Sequence, residues 1–233
     1  MPVSDDKIQR AYRVRIIIFL ICVVLTTAFL GTAYQAVQTL ARLEVVERDR
    51  DQWQRPSEIL QELDLREGSV VAEIGSGAGY FALKLSSRVG KSGEVLAVDI
   101  LREPLIFLWI RTWLRHQHNL HVIYGNPDDP KLSQQAVDAV LIANTYHEFD
   151  QPQKMLDSII RSLRSDGRLV ITDRGPRSKD DNDREVERGH HELSPNLVES
   201  DVRQSGFQLV KRHDRFIDRP GERPWWLIVA RKP

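Results

Sequence analysis

Three glycines spaced by two, Gly75, Gly77 and Gly79, stand between the apolar run Val70–Ile74 and a segment whose apolar residues, Phe81, Leu83, Leu85 and Val89, suit a helix. Glycine lets a chain turn sharply and lets a ligand approach the backbone where a Cβ would clash. A second apolar run, Glu94–Val98, ends in Asp99, 24 residues after Gly75. An acid at roughly that spacing, about 20 residues on, meets ribose in nucleotide-binding sheets. A carboxylate there can accept both ribose O–H groups. In a dinucleotide fingerprint the third glycine falls one place later, where this chain has Tyr80. The loop therefore suits a nucleoside with an amino-acid tail better than a diphosphate.

A second group of polar residues, Asn144-Thr145-Tyr146-His147-Glu148-Phe149, follows the apolar run Val137–Ala143. Ligands in open α/β sheets sit at that carboxyl edge. Histidine ordinarily titrates near neutrality and serves as a base for oxygen or nitrogen acceptors. His147 is thus a candidate catalytic residue; capping of the following helix by His147 and Glu148 is the alternative. His190, His191 and Glu192 close the charged stretch 173–192 and could meet His147 at the rim of a site. Nothing in their spacing demands a metal, since adjacent histidines do not easily face one ion. A solvated loop over the cleft, selecting the acceptor, is the simpler expectation. His116, His118 and His121 are expected to face solvent. Trp225 and Trp226 should point to opposite faces of a last strand, with core packing the default and exposure or a membrane interface the alternative for one of them.

These residues need a scaffold, and the order of elements supplies one. Helices are expected over 57–63, with Ser57 as N-cap, then after the glycine loop, and over 104–115, 153–163 and 196–205. Strands are expected over 70–74, 94–98, 121–124, 137–143 and 168–172, with a turn at Ser165-Asp166-Gly167 before the last. Alternation of this kind gives a doubly wound, mostly parallel sheet with helices on both faces. The chain then closes with two strands, 207–215 and 225–230, whose connection has no room for a helix. They should form an antiparallel hairpin at the sheet edge, making seven strands.

With these features in place the sequence resembles the class I S-adenosylmethionine-dependent methyltransferases, from about Trp53 to the C-terminus. The resemblance is most specific in VVAEIGSGAGYF, residues 70–81, and in VLAVDI, which ends in Asp99 and Ile100. The terminal hairpin also looks like that family's. The resemblance implies S-adenosylmethionine as cofactor. It implies that Glu73 and the loop Gly75, Ser76, Gly77 and Gly79 hold its methionine end, and that Asp99, with Ile100 beside it, holds the ribose. Gly125-Asn126-Pro127-Asp128 lies where the family contacts adenine, leaving Asn126 and Asp128 as alternative partners. Asn144 to Phe149 resembles the segment bordering the transferred methyl group in small-molecule members of the family, and Asn144 is a further candidate for contact with the cofactor.

Ahead of this domain, no charge interrupts the chain between Arg15 and Arg42, and Ile16–Ala33 is almost wholly apolar. A membrane-spanning helix needs about 20 such residues. The expected organisation is a basic tail over 1–15, a transmembrane helix over 16–37, a juxtamembrane helix or linker over 38–55 and the methyltransferase domain over 56–233. A cleaved signal peptide is the alternative to an anchor. Basic residues on both flanks leave the side of the membrane open. Cys22, the single cysteine, lies in the apolar run, so no internal disulfide can form. With 33 basic and 33 acidic residues there is no global electrostatic footprint for nucleic acid. The expected function is methyl transfer to a small-molecule or lipid-like acceptor. A membrane-anchored binding module without turnover, or a nicotinamide oxidoreductase, are the alternatives.

Overall fold

The computed structural model describes residues 5–176, 189 and 191–233. The chain divides into two units, residues 1–49 and 50–233. Most of helix α1, which runs unbroken over Asp5–Trp53, falls in the first; the sequence suggested a span followed by a juxtamembrane helix or linker over these residues. Its stretch Arg15–Trp53 holds a window of mean hydropathy 2.6, the one helix among the described residues long and apolar enough to cross a membrane. The hydroxyls of Thr26 and Thr32 donate to the carbonyls of Cys22 and Ala28 four residues back, at 2.7 and 3.2 Å. Such internal pairing is what a lipid environment requires of polar groups.

In the second unit one seven-stranded sheet forms in the order β3-β2-β1-β4-β5-β7-β6. Its strands are β1 (Val70–Ile74), β2 (Glu94–Asp99), β3 (Leu120–Tyr124), β4 (Val137–Ala143), β5 (Leu163–Arg174), β6 (Gln208–Ile217) and β7 (Trp225–Arg231). The first five pair in parallel, and β7 runs antiparallel to both β5 and β6. Among the described residues the helices include α2 (Pro56–Gln61), α3 (Tyr80–Val89), α4 (Arg102–Leu114), α5 (Pro152–Ser162) and α6 (Pro195–Gln204), with a 3₁₀ turn at Tyr146–Glu148. The expected Rossmann-like architecture and its terminal hairpin are both present.

Period-two alternation divides the core. Val71, Leu141 and Trp225 pack with α2, α3 and α4 on one face, while Ala72, Ile142 and Trp226 pack with α5 and α6 on the other. Trp225 and Trp226 do face opposite ways, but both are buried, because helices cover both faces of the hairpin strand. No membrane-facing tryptophan is found there. The Ser165–Gly167 turn survives inside β5 as a bulge: Leu163 pairs with Val137, yet Arg168 pairs with Ala139. Asp166 there takes a left-handed φ of 61°. Ser57 is not an N-cap; α2 begins at Pro56 after Arg55, with no side-chain cap.

Candidate functional site

The strand order reverses between β1 and β4, and a cavity of about 350 Å³ opens at their carboxyl ends. Its polar lining comes from Gly75, Gly77, Asp99, Asn126, Thr145, Glu148 and Asp150, and its apolar walls include Leu101, Phe149 and Met155. Two larger hollows, about 430 and 710 Å³, lie at the other end of the sheet around Ser69 and His121. They lack the glycine loop and sit where ligands of such folds do not bind.

The glycine loop is shaped by its hydrogen bonds. The amides of Gly75 and Ser76 both donate to the carbonyl of Val98, at 2.8 and 3.0 Å, and tie β1's exit to β2. All three glycines take left-handed φ values, 76°, 52° and 93°. A Cβ on Gly75 would lie 2.2 Å from Thr145 Cγ2, and one on Gly79 would lie 2.3 Å from Leu108 Cδ1. At Gly77 a Cβ would meet nothing within 4 Å. Two of the glycines therefore allow protein to approach protein, and the middle one leaves its space to the cavity.

Asp99 completes this wall. One carboxylate oxygen accepts the Gly77 amide at 2.8 Å and the other accepts the Leu101 amide at 2.8 Å. Each oxygen keeps a further acceptor position, the number needed for two vicinal hydroxyls. Glu73, on the α3 face of β1, is 3 % exposed and its Oε2 has no partner among the described residues. Burial drives its carboxyl well above the ordinary range; the Arg50 charge and the Ala82 amide oppose that, and Asp99 adds to it. Asn144 has a left-handed φ of 57° and a buried, unpartnered Oδ1. These orphaned oxygens, beside a backbone cradle, fit the ammonium and hydroxyls of an amino-acid nucleoside.

Ile100 also lines the cavity; Glu73, Ser76, Gly79 and Asn144 do not. Asn126 and Pro127 stand at the mouth, whereas Asp128 does not and lies 3.9 Å from the Lys154 ammonium. His147 is 3 % exposed, and its Nδ1 lies 3.0 Å from both oxygens of the fully buried Asp173. The amides of His147 and Arg174 also donate to that carboxylate, at 3.2 and 2.8 Å. Nε2 of His147 lies 3.2 Å from Nδ1 of His191 and 3.7 Å from Glu148 Oε1. These three side chains offer ligand atoms all within 4.8 Å of one another, a group able to hold a metal ion. His190 and residues 177–188 of the expected lid fall outside the described residues. His116, His118 and His121 are exposed, as expected.

Asp173 was missed as a site residue, although it ends an apolar strand as Asp99 does. That shared signal, an acid closing a buried strand, was readable in both places. Thr145, which fills the space beside Gly75, carries no comparable signal.

Comparison with known proteins adds the following. The profile of a family described as "Methyltransferase domain" matches residues 65–213. The chain is 34% identical over 110 residues to the protein-L-isoaspartate O-methyltransferase of Methanothrix thermoacetophila, covering 47% of this chain and 49% of that one. It is 30% identical over 118 residues to the ubiquinone/menaquinone biosynthesis C-methyltransferase of Blochmanniella floridana, covering 49% and 46%. The chain thus spans about half the length of the curated relatives it matches. Among solved structures, a SAM dependent methyltransferase from Aquifex aeolicus superposes with a TM-score of 0.65 at 24% identity, over 76% of this chain and 89% of that one. The [4+2]-cyclase SpnF superposes with a TM-score of 0.67 at 15% identity, over 77% and 81%. At such identities these structures establish the fold alone.

Proposed function

The chain belongs to the methyltransferase-domain family, and from that premise we propose that it transfers a methyl group from S-adenosylmethionine to a small-molecule or lipid-like acceptor at a membrane. The observation that carries this reading is the wall formed by Gly77 and Asp99, an open backbone cradle beside a carboxylate with two acceptor positions to spare.

Bound there, S-adenosylmethionine would supply an electrophilic methyl group on a sulfonium. Asp99 accepts from the ribose hydroxyls, Asn126 borders the adenine at the mouth, and Glu73 with the Gly75–Gly79 loop faces the methionine end. Leu101, Phe149 and Met155 exclude water from the flat faces of the nucleoside. Methyl transfer is an in-line displacement, so holding donor and acceptor in line supplies much of the rate. His147, held through Nδ1 by Asp173, does not itself line the cavity; through Nε2, 3.7 Å from the cavity-lining Glu148, it would orient the acceptor's heteroatom.

The curated relatives act, by their names, on isoaspartyl protein, on quinone precursors and on arsenite, so the family does not dictate the acceptor. A lipid-like acceptor is favoured by helix α1, whose apolar window suits a bilayer. The full chain, purified in detergent, should bind S-adenosylmethionine in a calorimetric titration and show no binding of NAD. Absence of the first would overturn the proposal. A panel of phenol, amine, thiol and quinol acceptors then separates an enzyme from a binding module that has kept the pocket alone.

A further inference from the structure

We infer that His147, Glu148 and His191 form a binding site for one divalent transition-metal ion, best suited to zinc, at the acceptor edge of the cofactor cavity. The inference rests on the methyltransferase reading only for the ion's role; the site itself stands on its own geometry.

Zinc is bound by imidazole nitrogen at about 2.0–2.1 Å and by carboxylate oxygen at similar lengths, in tetrahedral arrangement. A tetrahedron of that size has ligand atoms about 3.3–3.4 Å apart. Nε2 of His147 and Nδ1 of His191 are 3.2 Å apart, and Nε2 of His147 and Oε1 of Glu148 are 3.7 Å apart. All three ligand atoms fall within 4.8 Å of one another.

The surroundings are those of a ligating histidine. Metal-bound imidazoles donate their other N–H to a carboxylate, which fixes the ring and raises its basicity. Nδ1 of His147 lies 3.0 Å from both oxygens of Asp173, and that carboxylate is itself held by two backbone amides. On the other side His191 is joined to an anchored segment. Glu192, 5 % exposed, pairs with Arg223 at 2.7 Å; the Leu193 amide donates to the Arg174 carbonyl at 2.8 Å; and Trp226 Nε1 donates to the Leu193 carbonyl at 2.7 Å.

Three protein ligands leave a fourth position open, the arrangement of catalytic rather than structural zinc. Glu148 lines the cofactor cavity, so the ion lies at the cavity's edge. The class of acceptor this favours carries an ionisable hydroxyl or thiol. Coordination would replace its proton, which leaves to solvent. The freed lone pair then forms the new bond to the methyl carbon as the sulfur–carbon bond breaks, returning a neutral thioether.

The test uses the full chain in detergent, stripped with a chelator and titrated with Zn²⁺ or Co²⁺. One equivalent should bind with a Kd below micromolar, and Co²⁺ should give the visible absorption of a four-coordinate site. His191→Ala, at an exposed position, should weaken that binding at least tenfold while leaving S-adenosylmethionine affinity unchanged. Asp173→Asn should weaken it about 10–100-fold. No stoichiometric binding of either ion, or binding unaltered in His191→Ala, overturns the inference. A chain that binds the ion but not S-adenosylmethionine would sink the methyltransferase reading and leave the metal site standing.

Discussion

The Asp99 carboxylate accepts the Gly77 amide at 2.8 Å, so the residue that would receive the ribose also holds the middle of the glycine loop. Binding and loop shape are therefore coupled through one side chain. Asp99→Ala should lower S-adenosylmethionine affinity by about 10–100-fold, as expected for hydrogen bonds to a charged group worth about 1.5–3 kcal/mol. Asp99→Asn, which keeps one acceptor oxygen, should fall between. Calorimetric titration measures both, and unchanged affinity in the alanine variant would remove Asp99 from the site.

The glycines separate space for protein from space for ligand. Gly75→Ala places a Cβ against Thr145 at a φ of 76°, and the melting temperature should drop by several degrees. Gly77→Ala meets no protein atom within 4 Å, and its cost is confined to a left-handed φ of 52°. It should lose less stability than Gly75→Ala yet lose more cofactor affinity in proportion. Thermal unfolding with and without S-adenosylmethionine reads both effects. A Gly77→Ala protein stabilised by the cofactor as much as the parent would show that the open space is not where the ligand lies.

Glu73 gives the site a linked proton. Burial raises its carboxyl well above its ordinary value of 4.5, so the folded protein binds a proton that the unfolded chain has released. That contribution to stability is complete below about 4.5 and is lost as pH rises through the folded value. A cofactor ammonium beside Glu73 favours the ionised form, so binding at a pH below that raised folded value, where the carboxyl still holds its proton, should release it. The binding heat should then change with the ionisation enthalpy of the buffer, and Glu73→Gln should abolish that dependence. A buffer-independent heat in the parent protein would place the ammonium elsewhere.

Much of this was legible because the signals are periodic or local. β4 falls on Val137–Ala143 as its apolar run requires, and Asp99 could be found by its spacing from Gly75. Helix starts were read late for a single reason. α2, α5 and α6 begin on Pro56, Pro152 and Pro195, and α4 begins two residues before Pro104. Proline breaks a helix interior but suits its first turn, where the missing N–H has no partner to lose. The meeting of His147 with His191, 44 residues on, was expected from the loop that follows the fifth strand, whereas its pairing with Asp173, 26 residues on, has no local pattern to announce it. The adjacency of His190 and His191 suggested competition for one ion, whereas the second imidazole of the cluster comes from the 3₁₀ turn.

Helix α1 leads to a prediction about location. Its apolar window, with hydroxyls bonded internally, should keep the full chain in the membrane fraction through carbonate extraction. An intact N-terminal sequence on the recovered protein would support an anchor. A shortened, carbonate-soluble protein starting near residues 33–37 would show instead that the segment is a cleaved signal.

The orientation of the His147 ring can be tested without knowing any acceptor. Both Asp173 oxygens lie 3.0 Å from Nδ1 of His147 and already accept two backbone amides, so the geometry casts Asp173 as acceptor and Nδ1 as the nitrogen that carries the hydrogen. Nε2 then presents a lone pair toward Glu148 and His191, the state needed to meet an acceptor proton or a cation. In metal-free protein with labelled histidine, the ring ¹⁵N shifts of His147 should report the Nδ1–H tautomer of the neutral ring. Asp173→Asn removes the demand, because an amide can donate as well as accept, and the population should shift toward Nε2–H. A parent protein already in the Nε2–H form would mean that the lone pair points back at a carboxylate, and both roles assigned to Nε2 would fail together.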